Sequence, residues 1–185
     1  MSKNTTKMAI SYAFKELLLE KPYNKITVND ISERCGINRQ TFYYHFLDIP
    51  NMVEWICNDD VSKVINFDIT YENWQESFLL IFELLEKNKA FIMNIYHHVS
   101  HEILTNFLHQ ATYRMLMQVL EEKSSNIKVS QTERDFIANF YKYGFVGLVL
   151  DWVNHDMQED PHLIIERLDS LIKGSFQQAL IHSSN

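Results

Sequence analysis

The chain has 185 residues, of which 46% are hydrophobic, so it can bury the core of one or two small domains. It contains only 4 glycines and 3 prolines, which argues against a sheet protein with its many turns. The 2 cysteines exclude a disulfide framework, and the formal net charge of -7 argues against a uniformly basic nucleic-acid binder.

The charge is unevenly distributed along the chain. Residues 1–50 carry seven Lys or Arg and five acids, a net charge of +2, whereas residues 51–185 carry ten and nineteen, a net charge of -9. This split suggests two different roles within one chain. No apolar run reaches the roughly 18 residues that a membrane span needs, and the N-terminus lacks the features of a signal peptide. We therefore expect a cytoplasmic protein without a membrane partner.

Three short helices are predicted at the N-terminal end. The first runs from Thr5 or Thr6 to about Glu20, on apolar residues at helical spacing. Thr27 is the expected N-cap of the second, with Asp30 completing a capping box and Gly36 ending the helix. Asn38 is the expected N-cap of the third helix, in which Phe42 and Phe46 lie four residues apart and are expected to face inward.

Longer helices account for the rest of the chain. Their expected positions are 48–65 with Asp48 as N-cap, 74–85, 90–99, 101–122, 131–155 behind a Ser130 capping box, and a last helix that begins at Asp160-Pro161. No alternating strand pattern of any length is present in the sequence. The prediction is an all-α fold of about nine helices, with three helices in an N-terminal domain and the remainder in a C-terminal domain.

Two short helices joined by a glycine-containing turn are typical of the helix-turn-helix, whose second helix enters the major groove of DNA. The outward residues of that helix are expected to be Arg39, Gln40, Thr41, Tyr43, Tyr44 and His45. Arg pairs bidentately with guanine, Gln with adenine, and a Thr methyl contacts the thymine methyl. Tyr and His suit phosphate oxygens, which position a protein without reading sequence.

Residues 27–46, TVNDISERCGINRQTFYYHF, resemble the DNA-binding signature of TetR-family transcription regulators, and the likeness extends over about residues 5–65. It implies a homodimer that binds a palindromic operator in double-stranded DNA and is not an enzyme. The implied domains are a helix-turn-helix domain at 1–47 and an effector-binding and dimerisation domain at 48–185. The implied DNA-binding residues are Thr27, Asn38, Arg39, Gln40, Thr41, Tyr43, Tyr44 and His45.

One position departs from the family pattern. Members usually carry a Lys three residues after the Phe, where it contacts a phosphate, whereas here Phe46 is followed by Leu47-Asp48-Ile49. We expect that contact to be absent and the affinity to depend more on Tyr43, His45 and helix N-termini.

The segment 143–152, YGFVGLVLDW, followed by Asp160-Pro161, is similar to the branch of the family that includes regulators of dihydroxyacetone-kinase operons. That branch includes activators that respond through a kinase-like partner protein. The resemblance implies control by a small-molecule effector or by a kinase-like co-regulator protein, and it leaves the sign of regulation open.

Two further groups of residues follow from the implied C-terminal domain. The residues expected to border an effector pocket are Trp55, Trp74, Phe78, Phe107, Tyr113 and Tyr141. The residues expected at the dimer interface are Gly144, Gly147, Leu148, Leu168, Leu171 and Phe176. Each of the two glycines costs about 1 kcal/mol in a helix interior, which favours a role such as close helix approach.

One alternative from another class rests on His97, His98 and His101. A small metal-binding protein or metalloenzyme would use such a cluster, but the spacing differs from His-Glu-x-x-His and offers no third ligand. No nucleophile motif or phosphate-binding loop is present in the sequence either. We therefore predict no cofactor, no metal and no catalytic residue.

Overall fold

A computed structural model describes residues 3–65, 69–98, 101–124, 129–172, 174, 175, 178 and 179. Its helices are α1 (Lys3–Glu20), α2 (Val28–Cys35), α3 (Arg39–His45), α4 (Ile49–Ile65), α5 (Trp74–Lys87), α6 (Lys89–His98), α7 (His101–Ser124), α8 (Gln131–Asn154) and α9 (Pro161–Ile172). A short 3-10 turn, Tyr23–Lys25, lies between α1 and α2. The prediction of an all-α fold with about nine helices is confirmed for the described residues.

The chain forms two compact units. The N-terminal unit contains residues 1–60 and 88–107, and the C-terminal unit contains residues 61–87 and 108–185. Two helices, α4 and α7, contribute residues to both units. The functional division expected at residue 47 stays a prediction.

The core of the N-terminal unit is built from the apolar faces of its short helices. Ile10 and Phe14 of α1 are fully buried, as are Ile31 of α2 and Phe42 of α3. The ring of Phe14 meets that of Phe91 edge to face, with centroids 6.3 Å apart, which fixes α6 against α1. Cys35, near the end of α2, is half-buried.

Contacts between aromatic rings join α5 to α8 in the core of the C-terminal unit. The ring centroids of Phe78 and Phe145 are 4.3 Å apart and join α5 to α8. Phe82 meets Trp152 edge to face at 5.0 Å. Each such pair contributes about 0.5–1.5 kcal/mol beyond its buried area, so these rings hold α5 and α8 together.

None of the described helices is both long enough and apolar enough to cross a membrane. The helix boundary expected at residues 99 and 100 lies outside the described residues.

Candidate nucleic-acid interface

The turn between α2 and α3 is set by two caps and one glycine. Gly36 has φ of 68°, a left-handed conformation that residues with a Cβ rarely adopt, and its N–H donates to the Glu33 carbonyl at 3.1 Å. Asn38 then caps α3, because its side-chain oxygen accepts the Thr41 N–H at 2.8 Å. The predicted N-caps of both helices and the predicted end of α2 at Gly36 are confirmed, and the two helices form a helix-turn-helix.

The inner face of α3 is a platform of rings. Phe42 and Phe46 are buried, with their centroids 5.8 Å apart, and Phe46 packs on Trp55 of α4 at 5.7 Å. Tyr43 leans edge to face on Phe42 at 5.6 Å. The platform fixes the rotation of α3 and so determines which side chains face outward.

The outer face of α3 presents the side chains that the sequence singles out. Arg39 and Gln40 are exposed, and so are the rings of Tyr43 (50%) and Tyr44 (71%). Thr41 and His45 are half-buried. A guanidinium, an amide and two phenols therefore share one short solvent-facing surface, which suits contact with base edges and phosphates.

Thr27 serves mainly as a helix cap. Its hydroxyl donates to Asp30 Oδ2 at 2.7 Å and accepts the Asp30 N–H at 3.2 Å, which completes the predicted capping box. A hydrogen bond from Lys21, together with those from Thr27, lowers the pKa of Asp30 to about 2, so this carboxylate stays ionised and keeps the cap formed. A phosphate contact by the Thr27 hydroxyl would require its hydrogen to turn away from Asp30.

The N-terminus of α4 already carries an acidic cap. Asp48 Oδ1 accepts the Asn51 N–H at 2.8 Å, as the sequence predicts. A carboxylate in this position satisfies a donor that would otherwise attract a phosphate. This helix end is therefore a poorer anion site than an uncapped N-terminus.

Comparison with known proteins agrees with this geometry. Residues 12–52 match the family described as bacterial regulatory proteins, tetR family. Residues 72–174 match the family described as a transcriptional regulator C-terminal region. The chain is a member of the TetR family.

Two relatives show which TetR-family proteins it resembles. The chain is 31% identical to the HTH-type dhaKLM operon transcriptional activator DhaS of Lactococcus lactis subsp. lactis (strain IL1403) over 137 residues, 73% of this chain and 72% of that protein. A solved structure of the dihydroxyacetone kinase operon activator DhaS superimposes with a TM-score of 0.71 at 24% identity, covering 97% of this chain and 98% of the other.

A third likeness is more distant. NalD, the secondary repressor of the MexAB-OprM multidrug efflux pump in Pseudomonas aeruginosa, has a TM-score of 0.62 at 18% identity, covering 96% of this chain and 97% of that one. The described fold is therefore shared with both activators and repressors. The family consists of transcriptional regulators, and this TetR-family chain is one of them.

Three of the residues expected at an effector pocket share one cavity. Trp74, Phe78 and Tyr141 line a cavity of about 20 Å³ in the C-terminal unit, room for about one water molecule, together with apolar side chains and Asp169. The Asp169 carboxylate accepts a hydrogen bond from Gln75 at 2.9 Å.

The other three expected pocket residues do not line this cavity. Trp55 packs on Phe46, and Phe107 is buried within the N-terminal unit. Tyr113 donates to Asp135 at 2.6 Å. Residue type alone did not separate rings beside a cavity from rings in the core.

The residues expected at a dimer interface fall into different environments. Gly144, Gly147 and Leu148 are exposed on α8, and a Cβ built on either glycine meets no atom of the chain within 4 Å. Leu171 is 77% exposed on α9, whereas Leu168 is buried. Phe176 lies outside the described residues.

Sequence reasoning missed the aromatic residues that extend the exposed face of α8. Phe136, Phe140 and Tyr143 are each more than 60% exposed and precede Gly144 and Gly147 at helical spacing. The signal was available as an i, i+4, i+7 series next to the two glycines. This series is hard to recognise in the sequence, because other apolar residues of α8 face the core and give the helix apolar residues on both sides.

The histidine cluster offers no support for a metal site. His97 and His98 are exposed at the end of α6, and the side chain of His101 lies outside the described residues. Among the described residues, no group of three His, Cys, Asp or Glu side chains could hold a metal ion. The metalloprotein alternative is therefore unsupported.

Proposed function

We propose that this regulator binds a palindromic operator as a homodimer, with α3 of each copy in the major groove. The observation that carries the proposal is the outer face of α3, where Arg39, Gln40, Tyr43 and Tyr44 are exposed on a helix anchored by Phe42. A two-fold dimer presents this face twice, so the operator is expected to be a palindrome with half-sites about one helical turn apart or a multiple of that.

The side chains of this face have different roles in the proposed complex. Arg39, Gln40 and Thr41 read base edges in the major groove, and Tyr43, Tyr44 and His45 contact phosphates. Asn38 and Thr27 act chiefly by holding α3 and α2 through their caps. Their outward atoms lie at the first turns of these helices and can also approach the DNA backbone.

In vitro selection from a random duplex library tests this proposal. The expected result is enrichment of one palindromic site by the full-length protein, with much weaker enrichment by an Arg39→Ala, Gln40→Ala double variant. A folded wild-type protein that enriches no sequence and binds no duplex at low salt contradicts the proposal.

We infer that the regulated genes include those for a dihydroxyacetone kinase. The support is the 31% identity to an activator of the dhaKLM operon. In the source organism, the selected site should occur upstream of such genes, and deletion of the regulator should change their transcript level. A lower level indicates activation and a higher level repression, whereas an unchanged level and an absent site argue against this target.

We also propose that the regulatory signal enters through the C-terminal unit. A small molecule would bind beside Trp74, Phe78 and Tyr141, where the cavity would have to widen to admit it, and a kinase-like protein would instead bind the outer surface. Either ligand would shift the population between two dimer shapes, and α4, which belongs to both units, transmits the change to α3. Native mass spectrometry of protein isolated from its host distinguishes the two, because it weighs the bound species directly.

A further inference from the structure

The basic residues of the N-terminal sixty residues separate into two groups by their partners. Three are ion-paired inside the unit: Lys15 with Asp60 at 2.8 Å, Lys21 with Asp30 at 2.8 Å, and Arg34 with Glu20 at 2.6 Å. The other three whose side chains the structure describes, Lys7, Lys25 and Arg39, have no carboxylate within ion-pair distance among the described residues.

An ion-paired cation and an unpaired cation differ in how much they can contribute to the affinity for DNA. Affinity for a duplex comes largely from release of the counterions that condense on phosphates, and each protein cation that neutralises a phosphate releases about one. A Lys or Arg already neutralised by a carboxylate must first lose that partner. The unpaired cations therefore carry most of the electrostatic capacity of this unit.

Lys7 lies beside the end of α3. Its Nζ is 5.1 Å from the ring centroid of Phe46, the residue that ends α3, and 5.2 Å from that of Trp55 on α4. The faces of neutral rings attract an ammonium group but do not cancel its charge. This contact holds the charge next to the end of α3, the helix that we place in the groove.

Lys25 lies in the 3-10 turn that precedes α2. It is exposed and stands two residues before the cap Thr27. The ring of Tyr23 in this turn meets that of Phe14 edge to face, with centroids 6.1 Å apart, which fixes the turn against α1. The turn therefore holds Lys25 in place just before the first helix of the helix-turn-helix.

We propose that Lys7 and Lys25 are phosphate-contacting residues of the DNA interface, and that Lys15, Lys21 and Arg34 are structural. This inference rests on the proposed function, since it assumes that α3 enters DNA. Lys7 contributes from α1 a positive charge that is held beside the end of α3. Both contacts are with the backbone, so they strengthen binding to every sequence alike.

The salt dependence of binding tests the assignment. Full-length wild type, Lys7→Gln, Lys25→Gln and the double variant are titrated by fluorescence anisotropy, at several KCl concentrations. Two probes are used, the duplex returned by selection and sheared duplex DNA of mixed sequence. Each single variant should lower the magnitude of the log–log salt slope by about 0.9, and the double variant by about 1.8, on both probes.

Two matched variants distinguish the effect of a charge's position on the salt slope from the effect of the protein's net charge. Arg34→Gln removes one ion-paired charge from the same unit, and Lys87→Gln removes one exposed charge from the C-terminal unit. Both should leave the slope unchanged, although each changes the net charge by the same amount as Lys7→Gln. Lys7→Arg keeps the charge and should retain the wild-type slope, which separates a loss of charge from a loss of packing on Phe46 and Trp55.

The outcomes are distinct. Wild-type protein that binds no duplex overturns both the proposed function and this inference. Wild-type binding with unchanged slopes for Lys7→Gln and Lys25→Gln overturns this inference alone, as does an equal fall in slope for Arg34→Gln or Lys87→Gln. Thermal unfolding of each variant confirms that the compared proteins are folded, and the exposed Lys25 keeps the test valid if Lys7→Gln unfolds.

Discussion

At the scale of single residues, α3 divides its side chains between anchoring and contact. Phe42 is fully buried, and the neighbouring Arg39 and Gln40 face solvent. Because the buried ring fixes the rotation of the helix, the exposed side chains keep a defined direction before DNA is bound. A side chain that is already oriented loses less conformational entropy on binding, which favours discrimination between bases.

Arg39→Ala should weaken binding to the selected operator by about 1–3 kcal/mol and relax specificity at one base pair, because a bidentate pair with guanine is lost. Arg39→Lys is the matched control: it keeps the charge but not the planar fork, so it should retain non-specific binding and lose discrimination. Anisotropy titrations against the operator and its single-base variants measure both effects. An equal loss on every sequence would assign Arg39 to a phosphate instead.

Local side-chain roles were predictable where they depend on neighbours in the chain. Thr27, Asn38 and Asp48 are each recognisable as caps, because a cap oxygen and the backbone N–H that donates to it are three residues apart. The pairing of Lys15 with Asp60 spans 45 residues, and that of Arg34 with Glu20 spans 14. Sequence alone could not separate paired from unpaired cations, since the partners meet only in the folded chain.

At the scale of helices, short elements depend on their ends. Helix α3 has seven residues and α2 has eight, so neither would be stable alone in water. Their caps and their packing on α1 hold them in place. The helix-turn-helix is therefore sensitive to substitutions that touch no DNA.

Asn38→Ala should destabilise the protein by about 1 kcal/mol, because the Thr41 N–H loses its side-chain acceptor and keeps only the longer bond to the Asn38 carbonyl. Asn38→Ser keeps a capping oxygen and should lose much less. Urea unfolding monitored by circular dichroism measures both. Equal stability of the two variants would mean that the cap contributes little to α3.

The acid dependence of stability should report the capping box of α2. The pKa of Asp30 is lowered from 3.8 to about 2 in the folded protein, so its carboxylate stabilises the fold above about pH 4 and loses that effect as the pH falls toward 2. The difference in urea midpoint between wild type and Asp30→Asn should be constant above pH 4 and shrink below it. A difference that persists unchanged to pH 2.5 would rule out this origin.

The outer face of α8 shows where helix-level prediction fell short. Ile137, Phe145 and Val146 face the core, while Phe136 and Phe140 face solvent on the same helix. Apolar residues on both sides give no single preferred face, so the pattern predicts a helix without saying which side is buried. The exposed rings became visible only once the core side was known.

At the scale of the whole molecule, the two ends of the chain carry opposite charge. Residues 1–50 have a net charge of +2 and residues 51–185 a net charge of -9. A phosphate backbone attracts the first and repels the second, so the charge distribution favours approach of DNA to the helix-turn-helix. This charge asymmetry can be read from the sequence. The identity of the effector cannot, because it depends on the shape of a binding site formed by the folded chain.

Phe140→Glu should disrupt the proposed dimer, because it would bury an unpaired charge in a face lined by Phe136, Tyr143 and Gly144. The dimer dissociation constant is expected to rise by more than about 30-fold, the effect of losing 2 kcal/mol. Sedimentation equilibrium measures it, and Glu166→Gln on the exposed side of α9 serves as a neutral control. A Phe140→Glu protein that stays dimeric at low micromolar concentration would move the interface elsewhere.

The exposed rings of α8 also bear on how the protein is made. A newly synthesised chain leaves the ribosome alone, with Phe136, Phe140 and Tyr143 in contact with water. Until a second copy binds, that exposed apolar surface can bind other proteins non-specifically, including chaperones and misfolded chains. If the rings form the dimer interface, the concentration of dimer is proportional to the square of the monomer concentration while most chains are monomeric. A cell that makes twice as many chains then gains about four times as much operator-binding dimer.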